Sequence, residues 1–173
     1  MIRITNKNER FILVHVDKFG VTIAFDYIPF YDINEYGEQV ETNIGTWTEH
    51  TFFRRPSFWQ LKDFILTELN NGVSDKILSG FTWKDMLVWL STENQLNYKS
   101  AYDLAVQTNG ANLPITFKFG PTDEPVYHEF TTIEELQEFY LGVTAHINSC
   151  LQEGWKKKDN INWSEYEELL NKI

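Results

Sequence analysis

Two residues have the types and spacing of a nucleophilic pair. His146 and Cys150 stand four positions apart in a helical pattern, so they share a face. A Cys–His dyad needs its imidazole to hold a thiolate in an accessible cleft. Cys150, however, continues an apolar stripe, where cysteine behaves as a small hydrophobe, and the structural reading is preferred. His15, His50 and His128 lack the spacing of metal ligands, and His15 lies in an apolar strand pattern with no nucleophile to pair with. Cys150 is the single cysteine, which excludes an internal disulfide framework and a multi-cysteine zinc site. Phosphate-binding glycine patterns, HExxH, GxSxG and EF-hand loops are absent. No catalytic, cofactor-binding or metal-ligating residue is assigned, and the chain is expected not to be an enzyme.

Charge narrows the partners. The 173 residues carry a formal charge of −10, which argues against binding a phosphate backbone. Residues 121–173 hold eleven acidic and four basic groups, seven of the ten net charges. Glu134, Glu135 and Glu138 gather where a helix begins, and Lys156, Lys157 and Lys158 lie near its end. That order complements the helix dipole and needs no ligand.

Aromatic residues are abundant: six Trp, eight Tyr and thirteen Phe. Disordered chains are poor in such residues. Exposed members of the set Trp47, Trp59, Trp83, Trp89, Trp155 and Trp163 would suit a glycan or protein partner, because a flat apolar face adds contact area at little entropic cost. About two of the six are expected outside the core.

The elements that must position these residues follow from periodicity and turn chemistry. Segments 11–17 and 21–31 read as strands about Phe19-Gly20, and 40–53 as a third. Pro56 opens a helix carrying Phe58, Leu61, Ile65 and Leu69, with Asn70-Asn71-Gly72 as its end. Segments 76–83 and 86–90 read as a hairpin about Lys84-Asp85. Ser91 caps a second helix to about Thr108, stopped by Gly110. Another hairpin spans 113–130, and a third helix runs from about Thr132 to Glu153 or beyond. Asn162 or Ser164 starts a short last helix. Ile133, Leu136, Tyr140, Val143, Ile147 and Cys150 form a heptad seam on the third helix, open to its own sheet or to a symmetry mate. The first residues are polar and no stretch reaches the roughly 20 apolar residues of a membrane span.

The segment Lys76-Ile-Leu-Ser-Gly-Phe-Thr-Trp-Lys-Asp-Met-Leu-Val-Trp-Leu-Ser-Thr-Glu-Asn-Gln95, continued by Asn97-Tyr-Lys-Ser-Ala-Tyr-Asp103, resembles a domain found in bacteriophage and prophage tail proteins. Leu113-Pro-Ile-Thr-Phe-Lys118, the helix from Phe139 to Trp155, and Leu151-Gln-Glu-Gly-Trp-Lys-Lys-Lys-Asp159 are similar to its later parts. The likeness covers roughly residues 75–165. It implies a virion- or tail-associated protein and carries over no functional residue.

The expectation is an α+β fold, with short antiparallel hairpins and sheets packed on three main helices and a short C-terminal helix. Residues 1–74 would form a β-rich segment ending in a helix, and 75–173 the tail-like module, either as two parts or as one continuous domain. The expected function is a structural or interaction protein of a phage or prophage particle. The alternatives are a carbohydrate- or host-receptor-binding module and a small acidic host-interaction protein. Expected partners are other virion proteins and further copies of the chain, with no direct nucleic-acid binding, no membrane insertion and no cofactor; a glycan stays open. The place of action would be the virion, after synthesis in the host bacterial cytoplasm. Tyr140 and Trp155 are the candidate interface anchors.

Overall fold

Runs of β-branched and aromatic residues in the first third of the chain become strands, and apolar residues at intervals of three and four become helices. The computed structural model describes residues 2–6, 13–17 and 20–173. Its elements are β1 (Ile2–Asn6), β2 (Leu13–Asp17), β3 (Gly20–Ile33), β4 (Gln39–Phe52), α1 (Phe58–Leu78), β5 (Phe81–Trp83), β6 (Met86–Val88), α2 (Thr92–Gln107), β7 (Ile115–Phe119), β8 (Val126–Phe130), α3 (Ile133–Asp159) and α4 (Trp163–Lys172). The architecture is α+β. One antiparallel sheet has four strands in the order β1-β4-β3-β2, and β5-β6 and β7-β8 are two-stranded antiparallel hairpins.

The chain divides into two units, residues 1–69 with 157–173, and residues 70–156. The cuts fall within α1 and α3, and α4 belongs with the N-terminal strands. The sequence expectation, a division at 74/75 or one continuous domain, has no such return, because a local pattern does not show the chain coming back to its first unit.

In the first unit, Val21, Ile23 and Phe25 of β3 pack on Leu61, Ile65 and Leu69 of α1 and on Tyr166 and Leu170 of α4. Phe64 adds edge contacts to Phe25 and Phe52, with ring centroids 5.9 and 5.4 Å apart. Arg55 donates a guanidinium hydrogen bond to the Leu170 carbonyl, tying the segment after β4 to α4. Tyr166 donates its hydroxyl to the Ala24 carbonyl at 3.0 Å.

In the second unit, Trp83, Val88, Leu90, Tyr98, Ala105, Phe119, Phe130, Leu136, Phe139 and Val143 form one buried cluster. Gly120 N–H donates to the Leu87 carbonyl at 2.8 Å, which joins the two hairpins. The α3 seam is filled from within this unit. Leu136, Val143 and Cys150 are buried, and Ile133, Tyr140 and Ile147 pack partly buried on the same cluster. Phe139, outside the seam, is also fully buried.

Three local expectations are corrected. Helix α1 does not stop at Asn70-Asn71-Gly72 but continues to Leu78. A glycine inside a helix costs about 1 kcal/mol relative to alanine. Packing offsets it: Ile77 rests on the second unit's core, and Val73 lies so close to Gly154 that a Cβ there would sit 2.3 Å from Val73 Cγ2. Residues 76–78 are therefore helical, and the hairpin begins only at Phe81. The polar-looking start supplies a strand, β1, which pairs Ile2 with Thr48 through Asn6 with Ile44.

Candidate interaction surface and pocket

The four-stranded sheet ends in a ribbon. Past the Asn6–Ile44 pairing, β3 and β4 continue together through Tyr31–Glu41, Asp32–Val40 and Ile33–Gln39, and among the described residues no third strand pairs there. The turn is fixed locally. Asn34 Oδ1 accepts the backbone N–H groups of Tyr36 and Glu38, both at 2.9 Å, and the Asn34 carbonyl accepts Gly37 N–H at 3.0 Å. Shifts in register after Phe25 and after Pro29 interrupt the ladder, and Thr42 Oγ1 bonds the Phe30 carbonyl at 3.0 Å beside the second shift.

Phe30, Tyr31, Ile33, Tyr36 and Val40 are exposed along this ribbon, and Ile28 and Ile44 where it leaves the sheet, with Ile33 at 68% and Tyr36 at 79%. Taking about 150–250 Å² for a fully exposed large side chain, they present on the order of 600–900 Å² in all. That surface is divided between two faces, since Val40 is opposite Asp32 and so on the face away from Tyr31 and Ile33. The largest apolar patch of an ordinary monomer is about 300–600 Å², and one side of a standard interface is about 800 Å². Residues 19–53 contain no Lys or Arg and six acidic residues. The ribbon is therefore apolar and acidic.

Beside the first irregularity of β3, the first unit forms an open cavity of about 490 Å³. Trp47, Tyr27, Phe25 and Tyr166 form its aromatic lining, and Asp26, Lys157, Asn160, Asn162 and Glu165 bring polar groups to it. Asp26 sits in the first β3 irregularity with φ +52°, a conformation that non-glycine residues seldom adopt. Lys157 Nζ lies 2.8 Å from its Oδ1. Trp47 donates its indole N–H to Glu49 at 2.8 Å, and Asn162 donates its amide to Glu165 at 2.7 Å.

Residues 60–172 match a family described as Domain of unknown function (DUF4376). The chain belongs to this family. No curated protein and no solved structure matches the chain. The DUF4376 segment runs from α1 through α4, leaving β1–β4 and thus the ribbon outside the match.

Within the DUF4376 segment the structure does bring His146 and Cys150 together, with Cys150 Sγ 3.6 Å from His146 Nε2. The thiol is buried, and that burial pushes its pKa up, the opposite of what a nucleophilic thiolate requires. His146 is also held by its surroundings: Nε2 lies 3.4 Å from the Lys76 carbonyl, and the ring stacks on Phe81 with centroids 5.5 Å apart. His128 meets Glu135 at 3.0 Å, and Lys84 meets the same carboxylate at 2.9 Å while lying over the Trp83 ring. The Lys84 hydrogen bond is the main cause holding the Glu135 carboxyl below its ordinary range, with His128 assisting. Outside the DUF4376 segment, His50 rests on Phe64 with ring centroids 3.8 Å apart, and burial lowers its pKa. The side chain of His15 lies outside the described residues. Among the described residues no three His, Cys, Asp or Glu side chains gather as a metal site, and no helix is long and apolar enough to cross a membrane.

The tryptophans divide differently from expectation. Trp47 and Trp83 are buried and Trp163 is partly buried, while Trp59, Trp89 and Trp155 are exposed, one more than expected. Lys62 lies 5.6 Å from the Trp59 ring and 5.1 Å from the Trp163 ring, so that pair already has a cation of its own. Of the two candidate anchors, Tyr140 stacks on Tyr102 at 5.2 Å in the core layer, and only Trp155 projects outward, at 55% exposure. Sequence reasoning missed the ribbon and the pocket. The sequence pattern ends the second strand at Tyr31 and gives residues 32–39 as a loop, whereas β3 runs on to Ile33, and nothing local says whether another layer covers these residues.

Proposed function

We propose that this DUF4376 chain is a non-enzymatic interaction subunit of a bacteriophage or prophage particle, tail- or virion-associated, which docks through its β3–β4 ribbon. The carrying observation is the set of seven large apolar side chains exposed along that ribbon and where it leaves the sheet. Exposed apolar surface of this extent, on both faces of one ribbon, supports an interaction site. The resemblance of roughly residues 75–165 to a tail-protein module supports the particle setting.

Charge selects the partner. An acidic apolar ribbon complements an apolar surface rimmed by Lys or Arg, and two such ribbons face to face would oppose like charges. Ile133, Leu136, Tyr140, Val143 and Ile147 of the α3 seam pack within their own unit, which supports a partner other than a second copy. A different particle protein therefore occupies the ribbon, and the isolated chain is expected to hold its 20.4 kDa monomer mass in light scattering.

The test is mass spectrometry of purified particles from a strain encoding the chain, with a photo-crosslinking residue at Ile33. The reading expects the chain in the particles, joined through Ile33 to another particle protein. Absence from particles defeats the particle setting. Presence without a crosslink defeats docking by the ribbon.

A further inference from the structure

We propose that the cavity of the first unit is a binding site for a neutral saccharide, of one or two sugar rings. Its volume of about 490 Å³ falls within the usual range of small-molecule sites, about 300–1,000 Å³. The inference goes beyond docking by the ribbon and does not depend on it.

The class of ligand follows from which atoms of the lining are already engaged. Trp47 is only 5% exposed and its indole N–H is bonded to Glu49, so it backs the cavity wall without a free polar atom. Tyr166 is in the same state, with its hydroxyl given to the Ala24 carbonyl. The partly exposed Tyr27 ring supplies the accessible aromatic surface. A part-exposed tyrosine ring backed by these buried aromatics suits the C–H face of a sugar ring.

The polar groups fit hydroxyls in the same way. Asp26 and Glu165 bring acceptor oxygens, while Lys157 and the amide of Asn160 bring donors. A hydroxyl both donates and accepts, so a polyol can satisfy both kinds at once. Two carboxylates against one ammonium leave the cavity unfavourable to an anion. Lys157 offsets Asp26, and Glu165 accepts from Asn162, so no isolated carboxylate is left to call for a cation.

The backbone gives a second, independent sign. Asp26 is held at φ +52° in a strand irregularity, and such strained positions concentrate at ligand sites. The irregularity turns this carboxylate towards the cavity end of α3, where Lys157 meets it.

The experiment titrates the full chain with methyl glucoside, methyl galactoside and methyl N-acetylglucosaminide, following tryptophan emission and heat. Ethanolamine and glucuronate serve as cationic and anionic controls. The proposal expects saturable binding of at least one neutral glycoside. Glu165→Gln combined with Asn160→Ala should weaken it by roughly tenfold or more. Both positions are exposed, so the melting temperature should stay unchanged. Absence of saturable binding by every neutral glycoside, or binding of ethanolamine alone, overturns the proposal. Glycoside binding unaffected by the double variant would place the sugar on an exposed tryptophan instead and also overturns it.

Discussion

Lys157 and Asp26, 131 positions apart in sequence, meet as an ion pair in which Nζ lies 2.8 Å from Oδ1 and 3.0 Å from Oδ2. The contact fixes the last residues of α3 against the first irregularity of β3, where Asp26 has a positive φ. Replacing Asp26 by glycine or by alanine removes the same ion pair, but only glycine adopts that backbone conformation without strain. Asp26→Ala should therefore be less stable than Asp26→Gly, by roughly 1 kcal/mol. Chemical denaturation of the two variants measures the gap, and equal stabilities would show that the backbone there is not strained.

Gly154 should resist the usual gain from alanine in a helix. A Cβ at this buried position would sit 2.3 Å from Val73 Cγ2, within the second unit. Overpacking of this kind typically costs about 1–3 kcal/mol, more than alanine's helical advantage of about 1 kcal/mol. Gly154→Ala is expected to lower stability, and Val73→Ala in the same chain to recover part of the loss. A double-mutant cycle with no coupling energy would contradict the packing.

Acid should weaken the fold partly through Glu135. Its carboxyl pKa is lowered, first by the hydrogen bond from Lys84 and further by His128. A depressed folded value means the contribution is complete above the unfolded value, about 4.3, and is lost as pH falls through the lower folded one. Wild type should thus be more stable than Glu135→Gln near neutrality, and the difference should close below about pH 4. Melting temperatures of both proteins from neutral pH down to about 2 provide the check. A gap that stays constant throughout would rule out the linkage.

Cys150 should behave as a core residue. Burial raises its pKa, and its near neighbour His146 has a second contact at the Lys76 carbonyl. Ellman's reagent is expected to leave it nearly untouched in the native protein and to modify it fully in denaturant. Rapid native modification would reopen the dyad that the sequence spacing suggests.

Elements governed by local chemistry were legible in the sequence. Helix α2 begins where Ser91 predicts, with the Ser91 hydroxyl accepting Asn94 N–H at 3.2 Å, and Gly110 follows its end with φ +83°. The Lys84-Asp85 turn and the second hairpin read correctly for the same reason, while the first hairpin begins five residues later than its pattern suggests, at Phe81 and not at Lys76. The end of α1 did not, because Val73 and Ile77 keep it helical through partners far along the chain. Asp26 and Lys157 carry no mark of each other, so the pocket was not legible. The exposed ribbon escapes for a further reason: strand patterning shows that residues are apolar, not whether anything is packed on them.

Incorporation into particles tests the central claim most directly. In the variant Tyr31→Ser, Ile33→Ser, Val40→Ser the ribbon loses three exposed side chains that lie outside both cores. Mass spectrometry of particles carrying wild type and variant in competition measures their ratio. The account predicts that the variant keeps the wild-type melting temperature and is depleted from particles by roughly tenfold or more. A fully folded variant incorporated as well as wild type would contradict it.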